Sequence, residues 1–506
     1  MSALPRGLRG ALMVCGTTSN AGKTTLVTGL CRVLARRDVR VAPFKAQNMS
    51  LNSVVTLAGH EIGRAQGIQA HAAGVEPEWA MNPVLLKPTG ERTSQVMVRG
   101  RPWAAMGAAE YHDRKLELLP VVLDALADLR SRFDVVLCEG AGSPAEINLY
   151  DRDIVNLRIA HASGMSAVVV GDIDLGGVFA ALFGTVALLP EEHRRLVRGF
   201  VINKLRGDPA LLLDGSSQLR QRTGIPTLGV LPWIGALGID AEDSMALRDG
   251  AGDAGALAGG EIDVAVVEFP RISNFTDLDP LVCEPGLRVR FVTSPTELDG
   301  ADLVVLPGTK ATVADLEWLR ERSLDTALCR TDALVLGICG GYQMLGRNID
   351  DEIESGAGIT DGLGLLPVTT VFGAGKVLER RTGVGLQEVV DGYRIHHGRV
   401  RTDAGEPFVA LDDAGAGEEV DGVHVGAVYG TTLHGLFESD GFRRAFLHRV
   451  AQHRNKAFVA RSTPFAAIRE ARIDRLADLL DAHLDLDAVV DLIASAEPAH
   501  PRGASA

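Results

Sequence analysis

The sequence predicts an α/β protein with two doubly wound domains, the first built on a parallel sheet of the P-loop NTPase type. Three observations carry this reading. Apolar runs of strand length recur along the chain, and most end in a glycine-rich turn that opens a helix-like segment. One such turn, Gly16-Thr-Thr-Ser-Asn-Ala-Gly-Lys-Thr-Thr25, has the pattern of a phosphate-binding loop. Another, Gly337-Ile-Cys-Gly-Gly341, sets a single cysteine at the tip of a strand-to-helix turn.

Composition narrows the function classes. The chain has 506 residues, enough for two to four domains with ample core. Its 51 basic and 65 acidic residues leave a net charge of −14, which argues against a general nucleic-acid binder but allows an anion held in a local nest. Cys15, Cys31, Cys138, Cys283, Cys329 and Cys339 form no C-x-x-C pair, so neither zinc spacing nor a disulfide framework is visible. The apolar stretch after Arg9 is too short for a signal peptide, and no apolar run reaches membrane-spanning length. A cytoplasmic protein without membrane partners is expected.

In the first half, Ala11–Cys15 is predicted as a strand and the run that follows Thr25, to Arg37, as a helix. Between them, Gly16, Thr17, Ser19, Asn20, Ala21, Gly22, Lys23, Thr24 and Thr25 are candidate nucleotide-binding residues. Backbone N–H groups cradle the phosphates, Lys23 reaches the terminal ones, and the Thr24 hydroxyl can ligate Mg²⁺. The next strand, Arg40–Lys45, runs into the polar loop Lys45–Asn52. Ligands of open α/β sheets sit beyond such carboxyl ends, so Lys45, Gln47, Asn48 and Asn52 are candidate substrate-binding residues; loop capping is the competing reading. Phe133–Cys138 ends at Glu139, a carboxylate placed to be the second magnesium ligand. Asp153 either orients the reacting carboxylate or phosphate, or caps a helix. Ser166–Asp172, Gly199–Lys204 and Thr227–Leu231 complete the sheet, and Asn203 and Lys204 are candidates to frame the nucleobase.

The expected boundaries are 1–247, a Gly/Ala/Asp-rich linker at 248–261, a second domain at 262–450, and a helical extension with a tail at 451–506. In the second domain Ile262–Val267, Arg288–Val292, Leu303–Leu306 and Leu334–Leu336 read as strands. Cys339 follows the last of them, where strain demands glycine and a helix N-terminus favours a thiolate. His396 and His397 read as packing residues. Ile473, Leu476, Leu479, Leu480 and Leu484 recur at helical spacing.

Gly337-Ile-Cys-Gly-Gly-Tyr-Gln343, Leu306-Pro-Gly-Thr-Lys310 and Tyr429-Gly-Thr-Thr-Leu-His-Gly435 together resemble the class I glutamine amidotransferases. The resemblance implies a flavodoxin-like domain in which Cys339 attacks the side-chain amide of glutamine and His434 is the base. It also implies an oxyanion hole from the N–H groups of Gly308 and Gly340. Where these enzymes carry Glu two residues after the His, this chain has Leu436, and Glu438 lies four residues on, so a Cys–His dyad is expected.

The phosphate loop, G-T-x-S-x-x-G-K-T, resembles that of dethiobiotin synthetase and its relatives. Pro43–Ser53, Glu139–Leu149, Gly171–Ala180, Asn203–Asp208 and Arg271–Asp279 are similar to the cobyric acid synthase family across nearly the whole chain. Leu175 stands where that family is expected to carry Arg. The resemblance implies MgATP and glutamine as co-substrates and a corrinoid as substrate, amidated through an acyl phosphate. Two alternatives stand beside it. Cobyrinic acid a,c-diamide synthase shares the chemistry, but Gln47-Asn-Met-Ser50 and Ser143-Pro-Ala-Glu146 favour the first family. A partition-type P-loop ATPase switch would need neither Cys339 nor His434.

Overall fold

The computed structural model describes residues 7–90, 92–234, 261–412 and 419–497. The expected linker falls outside the described residues except for Glu261, and so does the tail from 498 onward.

The first sheet is parallel throughout. Its order is Thr227–Pro232, Val197–Leu205, Ser166–Asp172, Gly10–Gly16, Val135–Glu139, Val41–Phe44. Its central strands are buried on both faces, which explains their continuous apolar character. The phosphate loop leaves the third strand from the Val41–Phe44 edge, and Glu139 ends its neighbour, so their side chains meet beyond the carboxyl ends of the sheet.

The polar loop expected at Lys45–Asn52 is partly strand. Gln47–Met49 pairs with Val84–Pro88 and begins a four-stranded sheet completed by Thr93–Val98 and Arg101–Gly107. Its polarity hid it: Asn48 is buried, but its amide meets the side chain of Gln66 rather than water. Ser53–Val55 and Glu61–Gly63 form a small hairpin before the helix Arg64–Ala72.

The second domain has a parallel core, Leu287–Val292, Ile262–Val267, Leu303–Leu306, Leu334–Ile338, Val428–Thr431. An antiparallel extension continues it, dominated by the long hairpin Val368–Gly385 with Glu388–Thr402. Sequence pattern did not predict this hairpin, because its strands alternate poorly and carry charge on much of their length.

The carboxyl-terminal helices Phe465–His483 and Leu486–Ala494 return to the first sheet. Ile473, Ala477, Leu480, Val489 and Ile493 share one core with Leu12, Val14, Leu26, Val27 and Leu30. Gly29 permits the approach: a Cβ there would lie 3.0 Å from Leu476 Cγ and closer still to Leu480. Around this apolar seam run Arg32–Glu470 at 2.6 Å, Arg36–Asp474 at 2.8 Å and Arg36–Asp478 at 2.6 Å. These partly exposed pairs contribute about 0–1 kcal/mol each, so the apolar contact dominates. Leu480→Ala is therefore expected to cost about 2–5 kcal/mol, read as a lower urea midpoint of the first domain. Asp478→Ala is expected to change that midpoint little.

Candidate functional site

Cys339 ends the strand Leu334–Ile338 and holds φ 52°, ψ −108°, before the single-turn helix Gly340–Leu345. That strained backbone is possible because Gly341 passes directly against the Leu306 carbonyl and Gly337 against the Tyr342 backbone; a side chain at either would collide. Cys339 is 6% exposed, and its thiol faces the Ile395 carbonyl at 3.8 Å.

His434 follows the strand Val428–Thr431 and is buried. Its Nδ1–H donates to Asp277 Oδ2 at 2.7 Å, while Asp277 Oδ1 accepts the Gly435 N–H at 2.8 Å. A carboxylate cannot donate, so this contact assigns the Nδ1 proton and leaves Nε2 for Cys339. Burial opposes the imidazolium, but Asp277 and Cys339 outweigh it and raise the His434 pKa to about 10. Tyr393 stacks on the ring with centroids 5.5 Å apart, and the two backbones exchange hydrogen bonds of 3.0 and 2.9 Å.

The expected dyad is thus corrected to a Cys339–His434–Asp277 arrangement. Asp277 lies 157 residues before His434 in the chain, on a short 3₁₀ turn after the positive-φ residue Asn274. The segment Arg271–Asp279 was marked by resemblance, but nothing in its local pattern tied that carboxylate to the histidine. Glu438 is engaged elsewhere, between Arg64 at 2.8 Å and Arg469 at 2.8 Å; these cations lower its pKa to about 2 against the opposing effect of burial.

Gly308 and Gly340 flank the same pocket. A Cβ on Gly308 would lie 2.8 Å from His434 Cε1, and one on Gly340 2.6 Å from Thr309 Cγ2. His396 is buried and its pKa falls to about 3, chiefly through burial. His397 packs against the Gly373 carbonyl at 3.1 Å and Gln95 at 3.3 Å.

At the phosphate loop, Lys23 Nζ donates to the carbonyls of Thr18 at 2.8 Å, Ser19 at 3.0 Å and Gly142 at 3.2 Å. It is held across the loop formed by Gly16, Thr17, Ser19, Asn20, Ala21 and Gly22, with Thr24 and Thr25 opening the helix. Thr24 Oγ1 donates to Glu139 Oε1 at 2.8 Å. Neighbouring ligands of an octahedral magnesium ion, at about 2.1 Å each, lie about 3 Å apart, so this oxygen pair fits Mg²⁺ beside the phosphates of a nucleotide. Glu139 also accepts Lys45 Nζ at 2.9 Å and Gln69 Nε2 at 2.5 Å.

Other candidates serve as supports. Asn203 donates to the Ala21 carbonyl at 3.0 Å and sits tight under Gly22, bracing the phosphate loop from below. Lys204 pairs with Asp172 at 2.6 Å. Asp153 accepts the N–H groups of Val155 at 2.9 Å and Asn156 at 3.2 Å, in the turn that precedes the helix Leu157–Ala162 rather than at its cap. Lys45, Asn48 and Asn52 are buried among protein partners, and Gln47 accepts the Tyr111 hydroxyl at 2.5 Å.

The two domains meet across a buried interface. Ser53 N–H donates to Asn274 Oδ1 at 2.9 Å, next to the Asp277 turn. Glu61, wholly buried, is held by Lys87 of its own domain at 2.5 Å and by Lys376 of the second-domain hairpin at 2.6 Å.

Comparison with known proteins finds a family match for each half of the chain. Residues 12–245 match the CobQ/CobB/MinD/ParA nucleotide binding domain, and residues 263–442 match the CobB/CobQ-like glutamine amidotransferase domain. The cobyric acid synthase of Streptomyces coelicolor is 54% identical over 501 residues, covering 97% of this chain and 98% of that protein. The chain belongs to the cobyric acid synthase family. The cobyric acid synthase of Nocardia farcinica is similar to the same degree, 53% identical over 509 residues with 97% and 98% covered. That of Rhodococcus jostii is 52% identical over 501 residues, with 97% and 96% covered. Membership favours the cobyric acid synthase reading over the diamide synthase and the ATPase switch. No helix among the described residues is long and apolar enough to cross a membrane.

The Asp277 contact yields a pH prediction. A raised His434 pKa keeps the imidazolium, and the stability of its ion pair, complete below the ordinary value of 6.5 and lost as pH rises through about 10. Asp277→Asn is expected to lower glutamate release from glutamine on the order of 10²-fold. It should also move the alkaline limb of the pH–rate profile to lower pH; an unmoved limb would show that Asp277 does not govern His434.

Proposed function

We propose that this chain amidates the b, d, e and g propionate side chains of adenosylcobyrinic acid a,c-diamide, using glutamine and MgATP. The observation that carries the reading is one chain holding a Cys339–His434 pair and a Lys23–Thr24–Glu139 phosphate site, joined by a buried interface.

The second domain supplies ammonia. With the imidazolium favoured, His434 already holds the Cys339 proton, and the thiolate attacks the side-chain carbonyl carbon of glutamine. The oxyanion develops between the N–H groups of Gly308 and Gly340. As the C–N bond breaks, His434 returns the proton to the leaving nitrogen and NH₃ departs. Water, deprotonated by His434, then cleaves the thioester to glutamate and regenerates the thiol. Asp277 holds the imidazole oriented throughout.

The first domain prepares the acceptor. A carboxylate does not react with ammonia unaided, because its carbon is a poor electrophile and its oxygen a poor leaving group. Transfer of the terminal phosphoryl group of ATP to that oxygen gives an acyl phosphate; ammonia adds to the carbon and phosphate leaves. Lys23 neutralises charge on the transferring group, and Thr24 with Glu139 would hold the magnesium ion, which supplies further charge neutralisation when bound. The corrinoid is substrate here, not cofactor.

The test is incubation with MgATP, glutamine and the corrinoid a,c-diamide, following the corrinoid by mass. Each exchange of OH for NH₂ lowers the mass by one step, and four successive steps are expected. Two steps on cobyrinic acid and none on the diamide would instead mark a diamide synthase. Cys339→Ala is expected to lose glutamine-driven but not ammonium-driven amidation.

A further inference from the structure

The pocket that holds Cys339 is not built by the second domain alone. Its wall includes Lys87 from the first domain, beside Lys310, Glu354 and Lys376. Lys87 and Lys376 are almost wholly buried, and both reach Glu61 behind the wall. Lys87 Nζ donates to Ser53 Oγ at 2.9 Å and to Glu61 at 2.5 Å; Lys376 Nζ donates to Glu61 at 2.6 Å and to Gln95 at 3.4 Å. An ammonium group has three donors, so each lysine keeps one beyond these bonds. Lys310 is paired with Glu354. Three cations therefore face two carboxylates, Glu61 and Glu354, and burial leaves one positive charge uncompensated. Burial lowers the Lys376 pKa to about 8, with Lys87 and Lys310 adding to it and Glu61 opposing.

Resting on the glutaminase reading, we infer that Lys87 and Lys376 together bind the α-carboxylate of glutamine, so that the first domain completes the amino-acid site of the second. Glutamine is a zwitterion, and it brings an α-carboxylate and an α-ammonium group into the chamber with the amide that Cys339 attacks. Its α-carboxylate takes the third donor of each lysine, and Glu354 is the carboxylate within the same pocket for its α-ammonium group. A domain arrangement that withdraws Lys87 then weakens glutamine binding. Hydrolysis is thereby confined to chains whose two domains are seated on each other.

The test compares glutamine with 4-aminobutanamide, the same amide without the α-carboxylate, as substrates for ammonia release. Wild-type protein is expected to prefer glutamine. Lys87→Met and Lys376→Met are each expected to cut that preference roughly 10- to 100-fold in kcat/KM, through KM for glutamine, as for loss of a charged hydrogen bond. Lys87→Arg should restore part of it. A purely structural role would lower both amides together and leave the ratio where it was, and an unchanged ratio in both methionine variants overturns the proposal. If Lys87→Met does not fold, the Lys376→Met ratio decides alone. Wild-type protein that releases no glutamate would overturn the glutaminase reading itself, a different result from an unchanged ratio.

Discussion

Glu61 is the point on which the two halves of this molecule turn. It is a fully buried carboxylate, gripped by one ammonium group from each domain. Such a pair is weak evidence of net stability, because desolvation of both partners cancels much of the attraction. Its importance lies in what its loss would leave. If the domains part, Lys376 leaves and Glu61 must be rehydrated or re-paired. The interface is therefore held to one register, and Ser53–Asn274 and Arg64–Glu438 fall into place around it. The register also seats the Asp277 turn, and through it the orientation of His434.

Buried polar side chains continue from this point toward the phosphate loop. Gly63 pairs across its hairpin with Ser53 and lies against Asn48 and Gln66. Asn48 bonds Gln66 at 3.0 Å, Gln66 bonds Gln69 at 3.4 Å, and Gln69 bonds Glu139 at 2.5 Å. Fully satisfied buried networks of this kind rigidify a core and tolerate little substitution. They also explain why residues near the carboxyl ends of the strands have local partners already.

Much of this was legible in the sequence, and the exceptions share a cause. The phosphate loop and Cys339 are readable because their chemistry requires neighbours close in sequence: glycines for a strained turn, a strand before and a helix after; His434 was marked by resemblance. Asp277 was not, because its bond to His434 is made only when distant segments fold together. Asn203 was readable as a polar group at a strand end and Asp153 as one in a loop, but whether such a group faces a ligand or a backbone group depends on a rotamer, which no pattern encodes. The strand Gln47–Met49 escaped notice because a polar strand buried among polar partners lacks the alternation that reveals ordinary strands. The return of the last helices was half visible: spacing showed the apolar face, but not which sheet it would cover.

That return has a consequence for how the protein is made. The first domain is translated first, yet Ile473, Leu480 and Ile493 belong to the core that contains its opening strand and its phosphate-loop helix. As the chain leaves the ribosome, that helix must wait with an uncovered apolar face until the amidotransferase segment has been synthesised in full. A chain released early carries a nucleotide site with part of its foundation missing. Completion of the first domain is thus tied to the presence of the second, because a truncated product leaves apolar surface of Leu26, Val27 and Leu30 exposed.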